Sequence, residues 1–215
     1  MIPLSEVSAI RLSVIDRSAV CGQAPNDVLS PVLQRLKEVT ADLHLEAEKH
    51  VHILEPDARP SEYVRYLRAM HGFHAPLEQM FLGNHELAEA GFDADGRCRK
   101  ADWMRRDLRS VGDCAELRAC ESVPEANTLS SAIGVAYVIE GSTLGGRFIL
   151  SKLPPALAPL RGNATRYLEG YGGETGARWR AFAALVERSP VDLTIAESAA
   201  CETFGKLIDW LQEAS

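Results

Sequence analysis

Apolar residues recur at three- and four-residue spacing along almost the whole chain from about residue 30, and hardly any stretch alternates with the two-residue period of a strand. That pattern confines the fold to helices packed on helices. Ser30-Pro31 gives an N-cap and a proline at the first helical position, and Val32, Leu36, Val39, Leu43 and Ala47 stripe a first helix running to about Val51. Pro60-Ser61 opens a second helix, striped by Tyr63, Tyr66, Leu67, Met70, His74, Leu77 and Phe81, in which Pro76 predicts a kink. Shorter helices are expected near 83–90 and 101–111, separated by an Asp-Ala-Asp-Gly turn at 93–96. A long helix follows from about Thr128 to Leu153, striped by Leu129, Ile133, Ala136, Glu140, Leu144 and Phe148 and ended by Pro154-Pro155. Segments 174–188 and 192–213 complete a set of about seven helices, so the class is all-α, one helical domain over 30–215 without internal repeats. Residues 1–29 carry no strong helical period and read as a poorly ordered N-terminal extension.

The chain has 215 residues, 46% hydrophobic and 25% charged, the balance of a globular protein rather than a disordered one. With 30 acidic against 23 basic residues its net charge is −7, which argues against a broad basic face for nucleic acid or anionic lipid. An anionic ligand must therefore be met locally. Uninterrupted apolar runs such as Val135 to Ile139 fall far short of the roughly 20 residues that span a bilayer, so no membrane segment is expected. The N-terminal stretch has neither a basic leader nor a continuous apolar core, which places the protein in the cytoplasm. Five cysteines with no CxxC spacing read as free thiols rather than a disulfide framework or a structural zinc site.

Two places carry candidate chemistry. Lys37 and His44 are seven residues apart, which on a continuous helix leaves them about 20° apart around the axis and about 10 Å along it. Glu48 lies one turn beyond His44, where it could orient the imidazole. The same spacing also suits a partly buried histidine capping core packing beside a solvent-facing lysine. The second place is Gly141-Ser142-Thr143-Leu144-Gly145-Gly146, where each interior glycine costs the long helix about 1 kcal/mol relative to alanine. Either the glycines allow a close helix crossing, or they clear the backbone to lie against a flat ligand, with the helix bending there. His71 and His74, three residues apart, could pair on a metal but lack a Glu-x-x-His partner, and His50, His52 and His85 read as surface residues.

A histidine-bearing helix and a glycine-bearing helix point to heme, and here a resemblance enters. Leu36-Lys-Glu-Val-Thr-Ala-Asp-Leu-His44-Leu-Glu-Ala-Glu48 closely resembles the proximal helix of heme oxygenases, whose pattern is LKEAT, three residues, the iron-binding histidine and a nearby glutamate. Ala136-Tyr-Val-Ile-Glu-Gly-Ser-Thr-Leu-Gly-Gly-Arg147 resembles their distal helix in the EGSxLGG form of the bacterial branch. Gly170-Tyr-Gly-Gly-Glu-Thr-Gly-Ala-Arg-Trp-Arg-Ala-Phe182 is similar to a later segment of that branch, and the likeness runs from about 30 to 212.

The resemblance implies a helical bundle holding heme, both substrate and cofactor, between proximal and distal helices. It implies His44 as the iron ligand, Gly141 and Gly145 as the close approach of the distal helix, and Lys37 beside a propionate. Arg178 and Arg180 are further propionate candidates, and Phe204 falls at a pocket-lining aromatic position. Animal enzymes place an aspartate after the first distal glycine; this chain has Ser142, so distal water is expected on Ser142, Thr143, Arg147 or a side chain of another helix. The implied reaction cleaves heme with dioxygen to biliverdin, ferrous iron and carbon monoxide. No nucleotide fingerprint is present, so electrons are expected from an external reductase or ferredoxin, and a bilin-binding photoreceptor is a candidate recipient of the product. The competing readings are a non-catalytic heme carrier or sensor and, further off, a thiamin-degrading or di-iron enzyme on a similar scaffold.

Overall fold

A computed structural model describes residues 30–214; the expected extension at 1–29 lies outside the described residues. The elements are α1 (Pro31–Val39), α2 (Ala41–Glu48), α3 (Pro60–Leu82), α4 (His85–Glu89), α5 (Ala94–Arg97), α6 (Lys100–Ser110), α7 (Leu129–Lys152), α8 (Arg166–Glu169), α9 (Thr175–Arg188) and α10 (Leu193–Glu213). Short 3-10 turns occupy His52–Leu54, Pro155–Leu160 and Gly172–Glu174, and no strand occurs among the described residues. The class is all-α, as the periodicity predicts.

The differences from the sequence reading are local and have local causes. The first predicted helix is two, divided at the buried Thr40, whose hydroxyl donates back to the Leu36 carbonyl at 2.7 Å and competes with the helical ladder. Ser30 does not cap α1 through its side chain; its hydroxyl is buried without a partner. The turn at 93–96 is a single helical turn, α5, capped by Asp93, which accepts from the Gly96 N–H at 3.1 Å. Helix α3 runs unbroken through Pro76. The missing N–H leaves the Gly72 carbonyl unsatisfied within the helix, and the Cys120 N–H donates to it at 2.9 Å.

Helix α7 is the central element, packed along α10 and flanked by α1, α4, α8 and α9, while α3 packs on α6 and α2 on α10. At 24 residues, with an apolar stretch of 18 among them, it has the length and composition to cross a membrane, which uninterrupted apolar runs did not reveal because small polar residues and glycines divide them. Half of that stretch is buried within the fold, and the helix serves here as the core helix. The α7–α10 crossing is closest at Gly134, where an added Cβ would lie 2.3 Å from the Ala196 carbonyl oxygen and 2.9 Å from the Ala199 Cβ. Gly134→Ala is therefore expected to destabilise the fold by about 1–3 kcal/mol through overpacking. A urea midpoint equal to wild type would contradict this placement. Cys98, Cys114, Cys120 and Cys201 are free thiols; Cys21 lies outside the described residues.

Candidate functional site

His44 stands on α2 with its ring edge-on to Phe204 of α10, the centroids 5.6 Å apart and the planes at 77°. Its Nδ1 lies 3.3 Å from Glu48 Oε1, which leaves Nε2 for an incoming ligand. The two side chains are 52% and 43% exposed, yet both sit against enough protein to feel its low polarity. Burial lowers the His44 pKa and pushes the Glu48 carboxyl up to about 7, so the imidazole is held neutral, the form that binds metal. Phe204, itself buried, backs the ring from the core side.

The three glycines of α7 do not share one job. Gly146 packs on α8, where an added Cβ would come within 3.2 Å of the Leu168 carbonyl oxygen. Gly141 and Gly145 face away from the rest of the described residues: a Cβ at either would meet none of their atoms within 4 Å. The close-crossing reading therefore holds for Gly146 and fails for Gly141 and Gly145, which share a bare strip of helix surface about 40° wide. A flat ligand fits against such a strip because no side chain stands in front of the backbone.

The proximal and distal elements approach one another near both candidates. The Tyr137 hydroxyl of α7 neighbours the Thr40 side chain. Thr40 is one turn before His44 and Tyr137 one turn before Gly141, about 6 Å along each helix.

The expected distal polar groups separate by direction. Thr143 and Arg147 stand about 200° and 240° around α7 from Gly141, away from the bare strip. Thr143 is buried and donates to the Glu140 carbonyl at 2.6 Å, and Arg147 donates to the Gly172 carbonyl at 2.8 Å. Both side chains are thus engaged with backbone carbonyls. Ser142, at about 100°, borders the strip; its hydroxyl donates to the Ile139 carbonyl at 2.7 Å and also neighbours the Tyr167 hydroxyl of α8. Tyr167 in turn lies 3.4 Å from His74 Nε2.

Among the expected anchors, Lys37 and Arg180 are exposed and have no ion-pair partner among the described residues. The inference that Lys37 shares a face with His44 needed an unbroken helix, and the turn at Thr40 comes between them. Arg178 is committed elsewhere: it pairs with Asp93 and Glu174 at 3.4 Å each, donates to the Gly96 carbonyl at 3.2 Å and covers the Tyr171 ring.

His71 and His74 each have a polar neighbour at Nε2, Arg105 for the first and the Tyr167 hydroxyl for the second. His71 Nε2 meets Arg105 at 3.2 Å, burial holds the two histidines down at about 4 and 3, and no cluster of three metal-binding side chains exists among the described residues. His85 is exposed and His52 meets Glu55 at 3.3 Å, but His50 differs from a plain surface residue in having its Nε2 buried without a partner.

One group escaped the sequence reading. Glu140, counted there as part of an apolar stripe, is buried next to Gly141 and accepts from Arg97, from Lys100 Nζ at 2.8 Å and from the Tyr171 hydroxyl at 3.0 Å. Burial opposes its ionisation, but the Lys100 and Arg97 charges outweigh this and hold it below the usual carboxylate range. The available signal was a carboxylate in an otherwise apolar helical stripe, which needs a buried cation that spacing cannot locate.

Comparison with known proteins agrees with this geometry. The heme oxygenase family model matches residues 30–213. The heme oxygenase PigA of Pseudomonas aeruginosa is 30% identical over 183 residues, covering 83% of this chain and 90% of that protein. A heme oxygenase of Xanthomonas campestris pv. campestris is 30% identical over 148 residues, 67% of this chain and 76% of its own. The NO- and CO-bound heme oxygenase from Neisseria meningitidis superposes with a TM-score of 0.70 at 25% identity, over 85% of this chain and 91% of that one. With a profile match across nearly every described residue, relatives at this identity and the open histidine and glycine faces in place, the chain belongs to the heme oxygenase family.

Proposed function

We propose that this chain binds heme between His44 and the Gly141/Gly145 strip of α7 and cleaves it oxidatively to biliverdin, ferrous iron and carbon monoxide. The observation that carries the proposal is the pairing of a half-exposed His44 ring with two glycines at which an added Cβ would meet no atom of the described residues within 4 Å. Bound heme supplies the iron at which dioxygen is activated and is itself the substrate. His44 ligates through Nε2 while Glu48 fixes its orientation through Nδ1. Phe204 limits tilting of the imidazole. Gly141 and Gly145 let the α7 backbone approach the ligand plane, and Ser142, backed by Tyr167, is the hydroxyl beside that strip able to hold a proton-delivering water. Of the three candidate anchors, Lys37 and Arg180 have no ion-pair partner among the described residues and are the cations for the propionates, whose charge the −7 chain must meet locally. Electrons come from an external reductase or ferredoxin, the reaction runs in the cytoplasm, where the unpaired thiols remain reduced, and a bilin-binding photoreceptor is one recipient of the product.

A heme carrier or sensor is the second reading, favoured by the Ser142 and Thr143 hydroxyls, both of which donate to backbone carbonyls. Gly141→Ala and Gly145→Ala separate the two. The added methyl meets no atom of the described residues within 4 Å, and alanine is the better helix former by about 1 kcal/mol, so the melting temperature should hold or rise. Biliverdin yield should fall because the methyl occupies the ligand's side of α7. A lower melting temperature with normal turnover per folded molecule would count against the proposal.

A further inference from the structure

At Gly141 and Gly145 the face of α7 meets none of the described residues within 4 Å of an added Cβ, so its height above a ligand is set from behind. We propose that the segment Arg166–Gly172 is a clasp that positions the distal half of α7 against the ligand, with Tyr171 as its principal positioning residue. The inference deepens the heme oxygenase reading and rests on it for the identity of the ligand.

The clasp meets α7 at each successive turn on the side opposite Gly141 and Gly145. The Tyr171 hydroxyl donates to Glu140 Oε1 at 3.0 Å. Thr143 packs on Gly170, its Cβ and carbonyl oxygen each 3.5 Å from where a Gly170 Cβ would stand. Gly146 lies on the Leu168 backbone, and Arg147 donates to the Gly172 carbonyl at 2.8 Å. These four α7 positions lie between about 140° and 260° around the helix from Gly141. The clasp thus bears on the back of the strip along its whole length.

The clasp is itself anchored to α6. Asp107 accepts from the Arg166 and Tyr167 N–H groups at 2.9 and 2.8 Å, fixing the start of α8. The Arg166 guanidinium lies 4.2 Å from the Trp103 ring centroid and donates to the Gly170 carbonyl at 2.5 Å. Lys100 Nζ donates to the Tyr171 hydroxyl at 3.0 Å, so one oriented chain runs from α6 through Tyr171 to α7. Gly170 sits at φ +59° and ψ −129°, a conformation side chains avoid, so the path of the clasp depends on a glycine there. The arrangement absorbs Gly170 and Gly172, to which no ligand contact had been assigned.

The test compares wild type with Tyr171→Phe, which removes one hydroxyl, and Gly170→Ala, which disturbs the path without touching Glu140. Amide hydrogen exchange on the heme-free protein is the first readout. Exchange over 141–150 should quicken about tenfold or more, the factor for losing one hydrogen bond to a charged group, with 129–138 unchanged. In the heme-loaded protein the biliverdin isomer ratio should broaden for both variants but not for Gly134→Ala, which strains the far end of α7. Unaltered exchange over 141–150 in both variants would overturn the clasp, as would an equal rise along the whole chain. The exchange contrast needs no turnover, so a wild type that makes no biliverdin would fail the functional proposal while leaving the clasp to be judged separately.

Discussion

Replacing His44 with alanine is expected to abolish the histidine-ligated heme spectrum and biliverdin formation together, with partial return of both when free imidazole is supplied. The ring is about half exposed and contacts the core chiefly through Phe204, so its removal should change fold stability by less than about 1 kcal/mol. The cleft left behind opens to solvent and should admit a soluble imidazole. Substitution by another histidine of the chain is not expected, because His71 and His74 are buried and engaged with Arg105 and Tyr167. The measurement is the absorption spectrum and turnover of heme-loaded His44→Ala, each with and without imidazole. A retained spectrum and rate would place the iron on a different residue.

The largest stability effect should come from Glu140→Ala. Arg97 and Lys100 side chains are 7% and 1% exposed, and Glu140 is the carboxylate both reach. Removing it strands two buried cations, which typically costs about 3–5 kcal/mol, a large part of the roughly 5–15 kcal/mol that holds a domain folded. The effect concerns a broken pair rather than the net worth of the pair. Replacing Arg97, Lys100 and Glu140 together with apolar residues of similar size should therefore recover much of the loss. The pH dependence has a definite sign. Because the folded Glu140 pKa is depressed, its contribution is full above the unfolded carboxylate range and disappears as the pH falls through the lower folded value. Urea unfolding at neutral pH gives the first quantity, and a loss below about 1 kcal/mol would contradict the buried cluster.

The course of the helices was legible because helical burial leaves a three- and four-residue stripe and prolines punctuate it: Pro31, Pro60 and Pro154 stand at observed starts and ends. The break at Thr40 was not, since a hydroxyl bonding back to its own helix leaves the apolar period intact. At the site, His44 and the glycines stood out by residue type and spacing. Which glycines face a ligand depends on what lies across from them, and Leu168, opposite Gly146, is far away in sequence. The partners of Arg178 and Glu140 were hidden for the same reason, since no periodicity reveals Asp93 beside the one or Lys100 beside the other.

The most direct measurement is to load the chain with heme, supply an external reductant in air, and follow the absorption spectrum while assaying carbon monoxide. The account predicts that the heme bands give way to those of biliverdin, with about one carbon monoxide released per heme. A heme spectrum that persists under reductant, with intact heme recovered from the protein, would contradict it and leave a carrier in place of an enzyme.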